Sequence, residues 1–268
     1  MSPLRLPTLF VSHGAPTLAL EDSPAGRFLD GLAHVLPFPP RAIVVASAHF
    51  NRRNPVATAS PRPRTIHDFR GFPQELYNLQ YPVAGDPDLA ARITTLLHDA
   101  GFEASADPAH GIDHGVWVPL RRAWPAANIP VVAISVNPEA DAEWHVRQGR
   151  ALSALRDDGV LIIGSGGFVH NLRELDPQAD AAMPWAKSFA DWLRDAVQRG
   201  NIEDGSEWLQ KAPQAARAHP TAEHLYPLFV AWGAAGHGAR GKSLHASWQF
   251  GSLALDAFAF ESGSGQIG

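Results

Sequence analysis

Residues 160–172 read VLIIGSGGFVHNL, and this stretch decides the fold that we predict. The apolar and mostly β-branched residues 160–163 are typical of a buried strand, and the glycines that follow them indicate a tight turn. The turn leads to His170. We therefore expect His170 just beyond the carboxyl end of a central strand.

The same arrangement, an apolar strand followed by a histidine, occurs twice more in the sequence. The strand of residues 6–12 leads to His13, and the strand of residues 42–48 leads to His49. Ligands of open α/β sheets bind at the carboxyl ends of the strands, so we expect His13, His49 and His170 to converge. A site at that edge of the sheet is the main functional prediction from the residues alone.

Strand and helix patterns alternate along the chain, which predicts an α/β fold. Apolar residues recur at helical spacing in residues 24–36 and 88–100, and residues 131–136 form another buried strand. We predict a single domain over residues 1–268, with a central, mostly parallel sheet flanked by helices and the active site at the carboxyl ends of the strands. Residues 51–87 lack periodicity and are predicted to form a long surface loop that lines a pocket.

Composition excludes several classes of protein and of site. The sequence has no cysteine, so disulfides, thiolate metal sites and a cysteine nucleophile are excluded, and a metal would need His, Asp or Glu ligands. A net charge of -5 gives no electrostatic footprint for nucleic acid. We find neither a signal peptide nor an apolar run of roughly 20 residues, so we expect a soluble cytoplasmic protein without a membrane partner. Oligomeric state is left open, with a homodimer as one alternative.

Arginines form the one basic cluster of the sequence, in a proline-rich segment. Its members are Arg52, Arg53, Arg62 and Arg64. A solvated loop is the favoured interpretation, and the alternative is a docking site for an anionic substrate group.

Further histidines lie in polar or glycine-rich segments. His114 follows Asp113 in a segment that we expect to be a loop, and His224 is expected in the first turn of a helix that Thr221 caps. Three imidazoles that meet in a pocket hold a divalent metal and leave positions open, while a fourth suits acid/base work near neutral pH. The histidines predicted to lie on helix surfaces or in loops are His34, His98, His145, His237 and His245.

Six short motifs, in this order along the chain, resemble the class III extradiol ring-cleavage dioxygenases of the LigB type, and within them the 4,5-DOPA dioxygenase branch. The motifs are SHGAP (12–16), SAH (47–49), TIHDF with GFP (65–73), DHG with a tryptophan (113–117), VHNL (169–172) and PTAEH with PL (220–228).

This resemblance implies a role for each of six histidines. The metal ligands are His13, His49 and His224; the acid/base or further metal ligand is His170; the pocket residues that orient the substrate are His67 and His114, and His114 is also a catalytic candidate. The resemblance implies Fe(II) for activity, with Zn(II) as an alternative occupant, and a DOPA-like catechol and O2 as substrates. Relatives of the protocatechuate type have a carboxylate ligand where this branch has His224.

Two other functions fit the same residues. The first is a zinc hydrolase, in which the histidine cluster activates water and His170 or Glu223 is the base. The second is a non-catalytic interaction protein similar to the Memo-type proteins of related fold. An intact set of four site histidines weighs against the second alternative.

Overall fold

The predicted central strand is present as Val160–Gly166, and every one of its residues is buried. Parallel strands flank it on both sides, Ala42–Asn51 on one side and Thr8–Ser12 on the other. A computed structural model describes residues 5–261 of the chain. The three strands that precede the predicted histidines are therefore neighbours in one sheet.

Strands and helices alternate through most of the described chain. The strands are β1 (Thr8–Ser12), β2 (Ala42–Asn51), β3 (Val56–Thr58), β4 (Ser105–Asp107), β5 (Val131–Val136), β6 (Val160–Gly166), β7 (Arg240–His245), β8 (Trp248–Gln249), β9 (Leu253–Ala254) and β10 (Ala257–Glu261). The α-helices are α1 (Pro24–Gly31), α2 (Gln74–Asn78), α3 (Pro87–Asp99), α4 (His114–Ala123), α5 (Ala142–Leu152), α6 (Pro184–Arg199), α7 (Ile202–Ser206), α8 (Trp208–Lys211), α9 (Ala215–Ala218) and α10 (Tyr226–Ala235). Four 3-10 helices lie at Pro16–Ala19, Leu32–Val35, Ser153–Asp158 and Leu172–Glu174.

The main sheet has eight strands in the order β4-β3-β5-β2-β6-β1-β10-β7. Strands β5, β2, β6 and β1 run parallel, whereas β10 and β7 form an antiparallel pair that closes one edge of the sheet. The carboxyl ends of the four parallel strands consequently meet at one edge. The predicted mostly parallel α/β sheet is confirmed.

Helices cover both faces of the sheet, which explains why the central strands are apolar at every position. In β2, Ile43 and Val45 pack into the cluster that contains α1 and α4. Val44 and Ala46 point the other way, into the cluster that contains α3 and one face of α10. Among the described residues, no helix is long and apolar enough to cross a membrane.

The region predicted to be one long loop, residues 51–87, contains two short elements. Strand β3 joins the sheet through a parallel pairing with β4 and one antiparallel residue pair with β5, and α2 follows later. Strands β3 and β4 have only three residues each, so neither shows an alternation of polar and apolar residues that is long enough to be recognised in the sequence.

Two predicted boundaries are also corrected. Strand β2 continues to Asn51, so His49 lies within the strand and not beyond it; the register with β5 shifts between Ser47 and Asn51. The helix after Thr221 begins only at Tyr226, so His224 precedes it in a turn. Pro227 occupies the start of that helix, where its missing N–H is tolerated and its fixed φ is favourable.

Close contacts between glycines and backbone join α10 to the sheet and to α5. A Cβ atom placed on Gly164 would lie 1.9 Å from the carbonyl oxygen of Pro227, and one on Gly166 would lie 2.1 Å from that of His224. The N–H of Gly167 donates to the same His224 oxygen at 2.9 Å. The glycines in the last part of the central strand and directly after it therefore determine where the His224 main chain lies.

Arg156 is a buried cation that joins three segments by hydrogen bonds to carbonyl groups. Its guanidinium donates to the oxygen of Leu6 at 2.8 Å and to those of Ala234 and Ala235 at 3.2 and 2.8 Å. The last two carbonyls belong to the end of α10, where no N–H of the helix is available to them. Arg156 thus connects that helix end to the segment before β1.

Candidate metal centre

Three imidazole nitrogens converge at the carboxyl edge of the parallel strands. The Nε2 atom of His49 lies 3.1 Å from that of His13 and 3.2 Å from that of His224. His13 follows β1, His49 projects from the end of β2, and His224 comes from the turn before α10. The structure thus brings together the three residues that the resemblance names as metal ligands.

Each of these rings directs its other nitrogen, Nδ1, at an oxygen atom. Nδ1 of His13 lies 3.0 Å from Ser165 Oγ, and this hydroxyl itself donates to the carbonyl of Gly115. Because a carbonyl oxygen only accepts, the hydroxyl proton is committed there and Ser165 must accept from Nδ1–H of His13. This tautomer leaves a lone pair on Nε2 of His13.

Carboxylates do the same for the other two rings. Nδ1 of His224 lies 2.9 Å from Glu223 Oε1, and Nδ1 of His49 lies 3.3 Å from Asp68 Oδ2. An ionised carboxyl group only accepts, so His224 carries its proton on Nδ1 and a lone pair on Nε2. The negative charge of Asp68 beside Nδ1 of His49 favours the same tautomer of that ring. Such oxygen partners behind histidines are typical of metal sites, where they fix the tautomer and the ring orientation.

The arrangement fits a divalent metal and is unfavourable without a cation. Three Nε2 lone pairs face one small region, where they repel each other unless a positive charge lies between them. Two nitrogen ligands about 2.1 Å from one metal are roughly 3.0 to 3.4 Å apart for octahedral to tetrahedral angles. The Nε2 atom of His49 lies at such distances from those of His13 and His224, 3.1 and 3.2 Å, so these two pairs fit.

Burial keeps these imidazoles neutral at ordinary pH. Desolvation, reinforced by the neighbouring histidines, holds the pKa of His13 and that of His224 well below the usual value. The same causes lower the pKa of His49 to about 3, although Asp68 opposes them. Neutral imidazole is the form that binds metal.

His114 lies at the first position of α4, against the cluster, and not in the loop that we expected. One ring nitrogen each from His13, His49 and His114 lie within 4.8 Å of one another. Nδ1 of His114 is 2.9 Å from Asp68 Oδ2, so its proton is on Nδ1 and its Nε2 also carries a lone pair. His114 is therefore either a further ligand or a hydrogen-bond acceptor for a molecule in the site.

His170 lies on the other side of the cluster, stacked on His224. The ring centroids are 3.5 Å apart and the ring planes differ by only 6°. Nitrogen lone pairs lie in the ring plane, so two parallel stacked rings are poorly placed to share one metal ion. Burial lowers the pKa of His170 to about 4, with Glu223 opposing and His114 reinforcing the effect.

The five histidines line a cavity of about 610 Å³ whose walls are otherwise mostly apolar. Its apolar residues include Pro16, Phe69, Phe72, Val169, Leu172, Leu175, Phe250, Leu253 and Leu255. Apart from the histidines, the charged side chains among its lining residues within 5–261 are Glu21 and Arg70. A volume of this size suits a small aromatic molecule.

Several other predicted side chains lie away from this cavity. His67 is not among the residues that line it; its Nε2–H donates to the carbonyl of Leu79 at 3.0 Å, and its ring packs edge-on against Phe69. Phe69, against which the His67 ring packs, does line the cavity, and the role of His67 in orienting a substrate stays a prediction. The four arginines of the basic cluster are exposed and do not line the cavity, which agrees with a solvated loop.

Sequence reasoning also misplaced or overlooked several polar residues. His145 is fully buried and not on a helix surface: Nδ1–H donates to the Asp141 carbonyl, and Nε2 accepts from the N–H of Asn137. The roles of Ser165 and Asp68 behind the histidines were overlooked. Ser165 lies beside His13 because the parallel register pairs Val11 with Ser165, a contact between distant segments that the sequence does not show.

Comparison with known proteins gives the family. Residues 7–255 match the family described as the catalytic LigB subunit of aromatic ring-opening dioxygenase. The chain is 42% identical to the 4,5-DOPA dioxygenase extradiol of Beta vulgaris over 258 residues, which cover 95% of this chain and 96% of that protein. It is 41% identical to the protein of the same name from Escherichia coli K12, with 87% of each chain covered.

A solved structure is similar over almost the whole chain. The crystal structure of the uncharacterized protein JW3007 from Escherichia coli K12 superposes with a TM-score of 0.79 at 33% identity, covering 95% of this chain and 99% of that chain. The sheet, the histidine cluster and these matches agree with each other. The chain belongs to the LigB family of aromatic ring-opening dioxygenases.

Proposed function

We propose that the protein is an extradiol dioxygenase that uses O2 and a non-haem Fe(II) to cleave the aromatic ring of a DOPA-like catechol. The observation that carries this proposal is the convergence of three histidine Nε2 atoms in the wall of a mostly apolar cavity. The names of the relatives support the substrate class, since several are called 4,5-DOPA dioxygenase extradiol.

The metal would be held by His13, His49 and His224, which leaves other positions free for a catechol and O2. Three neutral imidazoles suit Fe(II), and they suit Zn(II) as well. Fe(II) supplies the redox chemistry that lets a catecholate react with O2, whereas Zn(II) has none. In the overall reaction one ring carbon–carbon bond beside the diol breaks, and the semialdehyde product keeps both oxygen atoms.

The two remaining histidines would handle the protons. Nε2 of His114 is an acceptor and faces the cavity, so it is placed to take a hydrogen bond from a catechol hydroxyl. The His170 ring borders the cavity beside His224. We assign His170 the acid/base role and not that of a metal ligand, because its ring is stacked on a ligand.

The charged residues of the cavity favour a substrate that carries both an ammonium and a carboxylate group. Glu21 is half-buried and Arg70 is exposed, both among lining residues that are otherwise mostly apolar. A carboxylate and a guanidinium would pair with the ammonium and carboxylate groups of a DOPA-like molecule.

The geometry is less favourable to a zinc hydrolase. Glu223, one of the two candidate bases, lies against Nδ1 of His224, on the opposite side of the ring from the converging Nε2 atoms. It therefore does not face a metal-bound water. The non-catalytic alternative gives no reason for five histidines to meet in one cavity.

Anaerobic reconstitution of metal-free protein tests the proposal. One sample receives Fe(II) and another Zn(II); L-DOPA and other catechols are then added in air, and oxygen uptake and the absorbance of ring-opened product are recorded. With catechol present, we expect oxygen uptake in the Fe(II) sample and none in the Zn(II) sample. The uptake should be lost in His49→Ala and in His170→Ala. His98→Ala, which changes an exposed histidine of α3, is the matched control and should retain activity.

Two outcomes would contradict the proposal. If no catechol causes oxygen uptake in the Fe(II) sample, the chain is not an extradiol dioxygenase. If Zn(II) protein hydrolyses esters or amides without any catechol, the hydrolase becomes the better assignment.

A further inference from the structure

Asp68 contacts two histidines of the site at once. Its Oδ2 lies 2.9 Å from Nδ1 of His114 and 3.3 Å from Nδ1 of His49, and its Oδ1 accepts the backbone N–H of His114 at 2.9 Å. The side chain is 23% exposed and projects from the loop between β3 and α2. One carboxylate thus accepts two N–H groups of His114 and lies within ion-pair distance of Nδ1 of His49.

The other site histidines have a separate partner each. Glu223 serves His224, and Ser165 serves His13. Asp68 differs because it joins a proposed metal ligand, His49, to a histidine that faces the cavity, His114. A backbone N–H can only donate, so Asp68 is the acceptor in its hydrogen bond with the His114 main chain, and the same carboxylate lies against Nδ1 of the His114 ring.

We propose that Asp68 is a shared positioning residue, which holds both His49 and His114 in the tautomer with the proton on Nδ1 and a lone pair on Nε2. This inference rests on the metal site of the proposed function. Its consequence is that one carboxylate sets the metal affinity of His49 and the hydrogen-bond character of His114 together. It also brings negative charge close to a metal whose three imidazole ligands carry none.

The substitution Asp68→Asn tests this proposal, because the asparagine amide cannot accept all the surrounding N–H groups in either of its two flipped orientations. If the amide oxygen replaces Oδ2, both ring protons keep an acceptor, but the NH2 group faces the backbone N–H of His114. If the oxygen replaces Oδ1, the NH2 group faces both rings, which then have to move their protons to Nε2. That second tautomer removes the lone pair of His49 from the metal.

The first measurement uses the wild-type protein without metal. Nitrogen-15 NMR of the imidazole groups at neutral pH reports which ring nitrogen carries the proton. We expect the Nδ1–H tautomer for both His49 and His114. An Nε2–H tautomer at either ring would overturn the proposal, whether or not any variant folds.

The second measurement compares metal binding in the wild type, Asp68→Asn and Asp107→Asn. Asp107 is the matched control because it also accepts backbone N–H groups, those of Ala109 and His110, but no histidine ring. In competition with a chromophoric chelator, we expect Asp68→Asn to bind Zn(II) and Fe(II) about 10- to 100-fold more weakly, and Asp107→Asn to match the wild type. We also expect Nε2–H signals to appear in Asp68→Asn.

The outcomes separate this inference from the proposed function. Unchanged affinity and unchanged tautomers in folded Asp68→Asn would overturn the role of Asp68 and leave the metal site intact. Failure of the wild-type protein to bind either metal would instead contradict the proposed function, while the tautomers would still decide the role of Asp68.

Discussion

Replacement of Gly166 by alanine should disrupt the metal centre through the main chain of His224. The added Cβ would lie 2.1 Å from the carbonyl oxygen of His224, whereas real Cβ contacts essentially never fall below 3.0 Å. The oxygen belongs to the backbone and also accepts the N–H of Gly167, so no flexible side chain can absorb the contact. The His224 turn would have to move.

The required movement is large compared with the tolerance of a metal site. His224 O must retreat by about 0.9 Å to reach a separation of even 3.0 Å. Metal–ligand distances are held to within roughly 0.2 Å, so Nε2 of His224 would leave its place beside that of His49. Overpacking of a buried position costs about 1–3 kcal/mol in the free energy of unfolding.

Chelator competition and urea unfolding measure the two effects. We expect Gly166→Ala to bind Zn(II) and Fe(II) at least about tenfold more weakly, as changes behind metal ligands do. We also expect its free energy of unfolding to be lower by about 1–3 kcal/mol. Gly31→Ala is the matched control: nothing lies within 4 Å of its Cβ, at the end of α1. If the Gly166→Ala protein folds and binds metal as tightly as the Gly31→Ala protein, the predicted displacement of His224 is refuted.

Three further predictions follow from contacts outside the metal cluster or at its rim. Arg156→Met leaves three buried carbonyls without a donor, so its free energy of unfolding in urea should fall by about 3 kcal/mol, whereas the exposed Arg199→Met should match the wild type. Glu21→Gln and Arg70→Met should each raise KM for L-DOPA by roughly tenfold or more while that for unsubstituted catechol stays within about twofold; equal changes for both substrates would contradict recognition of charged groups. Burial lowers the pKa of His145 to about 3, so between about pH 6 and 3 the unfolded chain binds a proton there that the folded chain does not. The free energy of unfolding of metal-free protein should therefore fall as the pH is lowered from about 6 to 3, and His145 should contribute up to about 1.4 kcal/mol per pH unit to this fall. Urea titrations of His145→Gln at several pH values should show a dependence on pH that is weaker by that amount.

The sheet and the histidines at its edge could be predicted because their signals are local. Buried strands such as Val160–Gly166 are continuous apolar runs, and the histidine after each run necessarily lies at the carboxyl edge. Each of these predictions needed only the residues of one segment. The resemblance added His224, whose segment carries no strand signal.

The partners of those histidines could not be predicted, because they depend on contacts between distant segments. Asp68 lies in a region without periodicity and meets His114 across 46 residues of sequence. The helix start assigned to Thr221 was wrong because its hydroxyl donates to Glu223, while α10 begins at Tyr226 with Pro227 in its first turn. The burial of His145 arises because both α3 and α10 pack against its helix, and amphipathic spacing reveals one covered face at most.

The position of β1 in the sheet also has a consequence for synthesis on the ribosome. Leu9 pairs with Ile163 on one side and with Ala259 on the other, so the apolar strand TLFVS has no sheet partner until about 150 further residues have been made. At a translation rate of about 5–20 residues per second, that interval lasts roughly 8 to 30 s. During this time we expect the nascent strand to be a binding site for chaperones, and slower elongation before residue 160 to lengthen its exposure.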